Sequence, residues 1–298
     1  MKTLLFRGRA ASPAETRFAA SASAWVRVAG LSFCAAVACG DAAAAVTTIA
    51  AGPSPSASAP VAVAIDSSLN RAYVVHRELY LDVVVNVGIV PSNRVSAVDL
   101  ATGNVLATIP VGASINGLNQ AIAVDSTRQR AYVTNTDDNT VTIINTSTNT
   151  VAATVQVGTG PLGAAVDPDA GLVYVANTGV NRAGTVTVLD AGTGSIRGTV
   201  SVGSPAVHVA VDRSTRVAYV TLDASPWTVV AVDGAALTTR GRVELGLLFA
   251  ASSIAVDPGA RVYVSFSTSK AVAVIDTSAG PAALRESTRW LSVGLTPR

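Results

Sequence analysis

The sequence predicts an all-β protein, a β-propeller of four-stranded blades with five complete repeats and a surplus N-terminal strand. Three observations carry this. A strand-like segment ending in Asp recurs along the chain. A tyrosine follows each such Asp in fixed register. Of the 298 residues, 49% are apolar and only 13% charged, with Val, Ala, Thr, Ser and Gly dominant. That composition suits β-structure with Ser/Thr-covered surfaces.

The recurring segments are "VAVAID" ending at Asp66, "AIAVD" at Asp125, "GAAVD" at Asp167, "VHVAVD" at Asp212 and "SIAVD" at Asp257, spaced 59, 42, 45 and 45 residues apart. Six or seven residues beyond each Asp stand Tyr73, Tyr132, Tyr174, Tyr219 and Tyr263, five of the chain's six tyrosines. A third run in each unit ends at Asp99, Asn145, Asp190, Asp233 or Asp276. A fourth ends at Gly112, Gly158, Gly203, Gly246 or Gly294. Four short strands per unit of about 42–45 residues mark a propeller blade. A helical solenoid would show an apolar period of about 3.6 residues, and none appears.

Each position has a physical reading. An Asp or Asn at a strand end accepts hydrogen bonds from backbone N–H groups two or three residues on, closing a turn. The Gly after the fourth strand supplies backbone freedom. Ala64, Ala123, Ala165, Ala210 and Ala255 stand two residues before each first-strand Asp. The innermost strands converge there, and a small side chain lets neighbouring blades approach. The blades expected are 60–112, 119–158, 161–203, 206–246 and 252–294. The segment 46–52, "VTTIAAG", aligns with fourth strands and is the surplus outer strand.

Residues 1–45 read as a leader. "VAGLSFCAAVAC" at 28–39 is a short apolar run behind a basic start, and Ala43-Ala44-Ala45 forms a cleavage-type site near Val46. This is the pattern of a secretory signal, too short to span a membrane, and it implies export to the periplasm, cell surface or medium. A disordered Ala-rich leader is the other reading. Both cysteines, Cys34 and Cys39, lie here. The mature chain then has neither a disulfide framework nor a cysteine metal site. "AVAC" with Cys39 also has a weak lipoprotein-box pattern. The leader holds Lys2, Arg7, Arg9, Arg17 and Arg27 against Glu15 and Asp41, leaving 16 basic and 17 acidic residues in the remainder. Such a chain lacks the basic footprint of a nucleic-acid binder.

"AYVTN" at 131–135 and "VYVAN" at 173–177, with their flanking "AVD" and "TVTV" runs, resemble the YVTN-type β-propeller repeat family. The resemblance covers about residues 46–298. It implies an exported, surface or periplasmic propeller, commonly of seven blades, with lactonases and quinoprotein subunits among its better-known relatives. His76, Leu222 and Phe266 stand where the motif has Asn. Five repeats leave two architectures open: a closed five-bladed ring, or a fragment of a six- or seven-bladed propeller whose open ring would dimerise or be completed by a partner.

Propeller ligands are taken at one channel mouth, on the loops joining strand two to three and strand four to the next blade. Candidate mouth residues are His76, Arg77, Tyr80, Asn116, Asn119, Gln120, Asp137, Asn181, Arg182, His208 and Trp227. Blade 1 has a long connection, "HRELYLDVVVNVGIVPSN" at 76–93, which reads either as a lid or partner-binding hairpin or as an extended blade hairpin. His76 and His208 are the only histidines, below the usual zinc-ligand count and without H-x-H or H-E-x-x-H spacing. Carboxylates in "TDDN" and "DPDAG" sit at ordinary turns. No G-x-S-x-G or P-loop appears. The expectation is a binding or interaction scaffold with no catalytic residues, metal or cofactor, taking an unidentified protein, small-molecule or cell-envelope ligand. The alternatives are a lactonase-like hydrolase using His208, or a propeller subunit of a periplasmic quinoprotein-type redox complex.

Overall fold

A computed structural model describes residues 22–28, 31–39, 47–49, 58–78, 93–113, 120–245, 251–259, 261–266, 271–280 and 289–292. These residues form β-strands and turns, with one short 3-10 turn at Val180–Arg182 and no α-helix. Five four-stranded antiparallel sheets follow one another along the chain, and in each the strands pair in sequence order.

Blade 1 comprises Ser58–Asp66, Arg71–Glu78, Arg94–Asp99 and Val105–Pro110. Blade 2 comprises Ile122–Asp125, Arg130–Asn135, Thr140–Asn145 and Thr150–Gln156. Blade 3 comprises Pro161–Asp167, Leu172–Asn177, Thr185–Asp190 and Ile196–Ser201. Blade 4 comprises Ala206–Asp212, Val217–Leu222, Thr228–Asp233 and Thr238–Glu244. Blade 5 comprises Ala251–Asp257, Arg261–Phe266, Ala271–Asp276 and Arg289–Ser292. The first strands of successive blades pack side by side and form the inner wall.

The segment expected as a surplus outer strand does form a strand, Thr47–Ile49. It pairs parallel with Ala22–Val28, which in turn pairs antiparallel with Leu31–Cys39. It therefore belongs to a separate three-stranded sheet and not to the edge of a blade. Blade 5 takes its fourth strand from Arg289–Ser292.

The strand-end carboxylates close the turns. Asp125 Oδ1 accepts from the backbone N–H of Thr127 at 3.0 Å and Arg128 at 3.1 Å, and Asp167 Oδ1 from Asp169 and Ala170, both at 3.0 Å. Asp99, Asp190 and Asp233 repeat the pattern at the third-strand ends. The Arg197 guanidinium above all, and then these backbone bonds, hold the Asp190 carboxyl down to about 2.

In blades 2, 3 and 4 the second and third strands are buried almost throughout, because both of their faces meet a neighbouring blade. Four apolar clusters fill the four junctions. The repeat tyrosines cross them. Tyr73 donates to the carbonyl of Thr146 at 2.8 Å, and Tyr132 to that of Ala191 at 2.7 Å. The Tyr174 ring and hydroxyl lie against Gly234, where a Cβ would come within 2.5 Å of the hydroxyl. Burial pushes the Tyr174 phenol up to about 12. In each case the contact is the residue just after the third strand of the next blade. The tyrosine is thus a bolt between blades, which explains its fixed register.

The motif asparagines serve the same junctions. Asn135 Nδ2 donates to the hydroxyls of Thr140 at 2.9 Å and Thr142 at 2.8 Å, and Asn177 Nδ2 to that of Thr187 at 3.0 Å. Each amide also lies against the closing glycine of the preceding blade: a Cβ at Gly112 or Gly158 would stand 2.7 Å from the Asn135 or Asn177 Cγ. In blades 4 and 5 the Thr at the Thr142 position is lost together with the Asn: Val230 accompanies Leu222, and Ala273 accompanies Phe266. Blade 1, with His76 in place of the Asn, keeps a hydroxyl there in Ser96. A buried hydroxyl needs a partner, so an apolar residue at the second-strand position goes with an apolar one at the third.

The first strands of blades 1 and 5 do not pack against each other to any extent, so the described blades form an arc. On blade 5, Ser253, Ala255 and Asp257 are exposed and Tyr263 is half-buried, whereas Tyr73, Tyr132, Tyr174 and Tyr219 are fully buried. Among the described residues, no further blade covers the leading face of blade 5.

Candidate loop-end binding surface

The two ends of the arc differ. At one end lie the Asp-closed hairpins, short and held by carboxylate-to-backbone hydrogen bonds. At the other lie the strand two-to-three loops and the exits from the fourth strands, which vary in length and sequence.

The loop-end segments are tied to one another. In blade 2, the Asp138 carboxylate accepts from the Ala113 N–H at 2.6 Å, and the Asp137 N–H donates to the Ala113 carbonyl at 3.2 Å. Asn139 Oδ1 accepts from the Gly160 N–H at 2.8 Å. In blade 3, Asn181 and Arg182 adopt φ of 51° and 65°, the left-handed region that Asn tolerates and Arg rarely visits. That turn swings Arg182 towards blade 4, where its guanidinium donates to the Asp223 carbonyl at 2.7 Å and stands 3.4 Å from the carboxylate. Both side chains are largely exposed, and such a pair contributes under about 1 kcal/mol. Its consequence is positional: it fixes the blade 3 loop against the blade 4 loop.

The candidate residues separate into three groups. Asp137, Asn181 and Arg182 are exposed on this surface. Trp227 is half-buried on the blade 4 loop, packed on the apolar cluster between blades 4 and 5, with its carbonyl accepting from the Leu245 N–H at 2.7 Å. Gln120 and His76 are buried. The Gln120 amide donates to the Thr134 carbonyl at 3.2 Å, inside blade 2. His76 occupies the motif-Asn position of blade 1, in register with Arg94 and Pro60. Tyr80, Asn116, Asn119 and the side chain of Arg77 lie outside the described residues, as does the connection over 79–92.

His208 stands on the inner strand of blade 4. Its Nε2–H donates to the Ala251 carbonyl on the inner strand of blade 5 at 3.2 Å, a strand-to-strand tie with no carboxylate bonded to it. His76 is on blade 1 and His208 on blade 4, and no cluster of three His, Cys, Asp or Glu side chains suited to a metal stands among the described residues. Burial holds the His208 imidazole below the usual histidine value, against the opposing pull of the Ala251 carbonyl. A depressed folded value means that stability is full above the unfolded value of about 6.5 and declines as pH falls through it. His208→Gln keeps a donor for Ala251 and does not titrate. Its melting temperature is therefore expected to fall less than the wild type's between pH 7 and 5, and parallel curves would refute this role.

Together the fold and this linked loop surface define the class: a β-propeller-type arc of blades with one structural end and one variable end. Hydrazine synthase from Kuenenia stuttgartiensis is similar, with a TM-score of 0.64 over 80% of this chain and 67% of its own, at 15% identity. At that identity the likeness shows the fold alone. No family model and no curated protein matches the chain. No helix among the described residues is long and apolar enough to cross a membrane.

Proposed function

We propose that the chain is an exported propeller of the YVTN-repeat type that acts as a binding scaffold and takes its ligand on the loop end. The observation that supports this is the asymmetry of the two ends. The hairpin end repeats one Asp-closed turn from blade to blade, whereas the loop end presents a different set in each blade, with Asp137, Asn181 and Arg182 exposed to solvent on loops tied to each other. Exposed polar groups on a rigid frame are what recognition requires. The leading face of blade 5 gives the same scaffold a second place to meet a blade from another copy or a partner.

The test is binding of the purified chain to peptidoglycan and to a glycan array. Asn181→Ala/Arg182→Ala is expected to weaken the retained signal about tenfold, a loss of roughly 1.4 kcal/mol. Ser147→Ala, on a hairpin at the opposite end, should leave it unchanged. Equal binding by both variants refutes the loop-end reading. Turnover of a lactone panel with a stoichiometric divalent metal would replace it with a hydrolase.

A further inference from the structure

The junction between blades 3 and 4 differs from the two before it. At the first two, Asn135 and Asn177 fill the space beside the closing glycine of the preceding blade and bond the Thr142 and Thr187 hydroxyls. At the third, Leu222 and Val230 stand in those places, and nothing lies within 4 Å of where a Cβ on Gly203 would be. Leu222 is fully buried in the apolar cluster of this junction, and Gly203 adopts φ of 88°. Beside it lies a groove of about 650 Å³, within the range of small-molecule sites, and Gly203 and Val230 both line it.

The lining has two characters. Val202 and Val230 are buried and form an apolar floor. Arg242 lies directly opposite Val230 in the strand register, so it stands at the rim above that floor. The corresponding residues in blades 1, 2 and 3 are Thr108, Thr154 and Thr199, so the guanidinium is particular to this junction. Arg240, also at the rim, is engaged with Asp233. Arg242 makes no ion pair among the described residues, and none joins it to the exposed Glu244 two positions on. A planar guanidinium beside an apolar floor matches a carboxylate carried on a compact apolar body.

We propose that this groove binds a small organic carboxylate, with Arg242 pairing with the carboxylate and Val202 and Val230 supporting the apolar part. The groove lies on the flank of the arc and is independent of the loop-end surface. Benzoate is the probe and benzamide its neutral counterpart, followed by calorimetry and saturation-transfer NMR. Benzoate is expected to bind with benzamide at least tenfold weaker, and Arg242→Gln to lose about tenfold in affinity. Ser201→Trp, at an exposed lining position, narrows the groove without altering the core and is expected to abolish binding. Asn181→Ala/Arg182→Ala should leave benzoate binding intact. No benzoate binding up to about 10 mM, equal binding of benzamide, or full affinity in Arg242→Gln would each overturn the proposal.

Discussion

Tyr132→Ala lowers stability by about 3–5 kcal/mol, the range for truncating a large buried aromatic side chain. In a domain of this size the melting temperature drops by roughly 10 °C. The side chain is fully buried between blades 2 and 3, and its hydroxyl donates to the Ala191 carbonyl. Truncation therefore leaves a cavity in the junction and an unpaired carbonyl beside it. Tyr132→Phe isolates the hydrogen bond and costs about 1 kcal/mol. Tyr263→Ala is the internal comparison. That tyrosine is half-buried on the leading face of blade 5, so its loss costs no more than about 2 kcal/mol in the isolated chain. Thermal and urea melts of the three variants test this ordering, and equal losses for Tyr132→Ala and Tyr263→Ala would show that both faces are covered alike. Repeating the Tyr263→Ala melt across protein concentrations reports assembly: if another blade covers that face, the cost rises with concentration.

Gly163→Ala is expected to cost up to about 3 kcal/mol, the upper end for overpacking. A Cβ at Gly163 would stand 2.7 Å from the Val207 carbonyl oxygen and 3.0 Å from the His208 Cα. Both atoms are backbone of the adjacent inner strand, so relief requires blades 3 and 4 to separate. The His208 tie to Ala251 would move with them, loosening blade 5 as well. Gly192→Ala is the control. It sits on an exposed hairpin, where the added carbon meets only the Asp190 carboxylate at 3.2 Å, and its effect should lie within about 0.5 kcal/mol. A Gly163→Ala protein that melts like the control would mean that the inner strands tolerate a wider spacing.

The strands, their order within blades and the Asp-closed hairpins were legible in the sequence. Each depends on a short-range rule repeated five times: a turn-closing carboxylate, a β-branched run, a fixed spacing. The tyrosine register was visible, but its purpose was not, because its partner lies 59 to 73 residues on in the next blade. The paired loss of Asn and Thr in blades 4 and 5 could have been found by reading second and third strands together. Leu222 and Phe266 look like isolated departures until Val230 and Ala273 are set beside them.

The candidate site was legible only in part. Asp137, Asn181 and Arg182 reach solvent at the loop end, where the loop order placed them. Gln120 and His76 turn inward, because polarity alone does not say whether a side chain meets water or a backbone carbonyl. The sequence by itself determined an all-β chain of five four-stranded repeats. Tertiary structure alone decided that the described blades form an arc, that Thr47–Ile49 joins a sheet of its own, and that a groove lies beside one junction. The repeat encodes hydrogen bonding within a blade. The angle and filling of each junction come from side chains meeting across it, which no local pattern records.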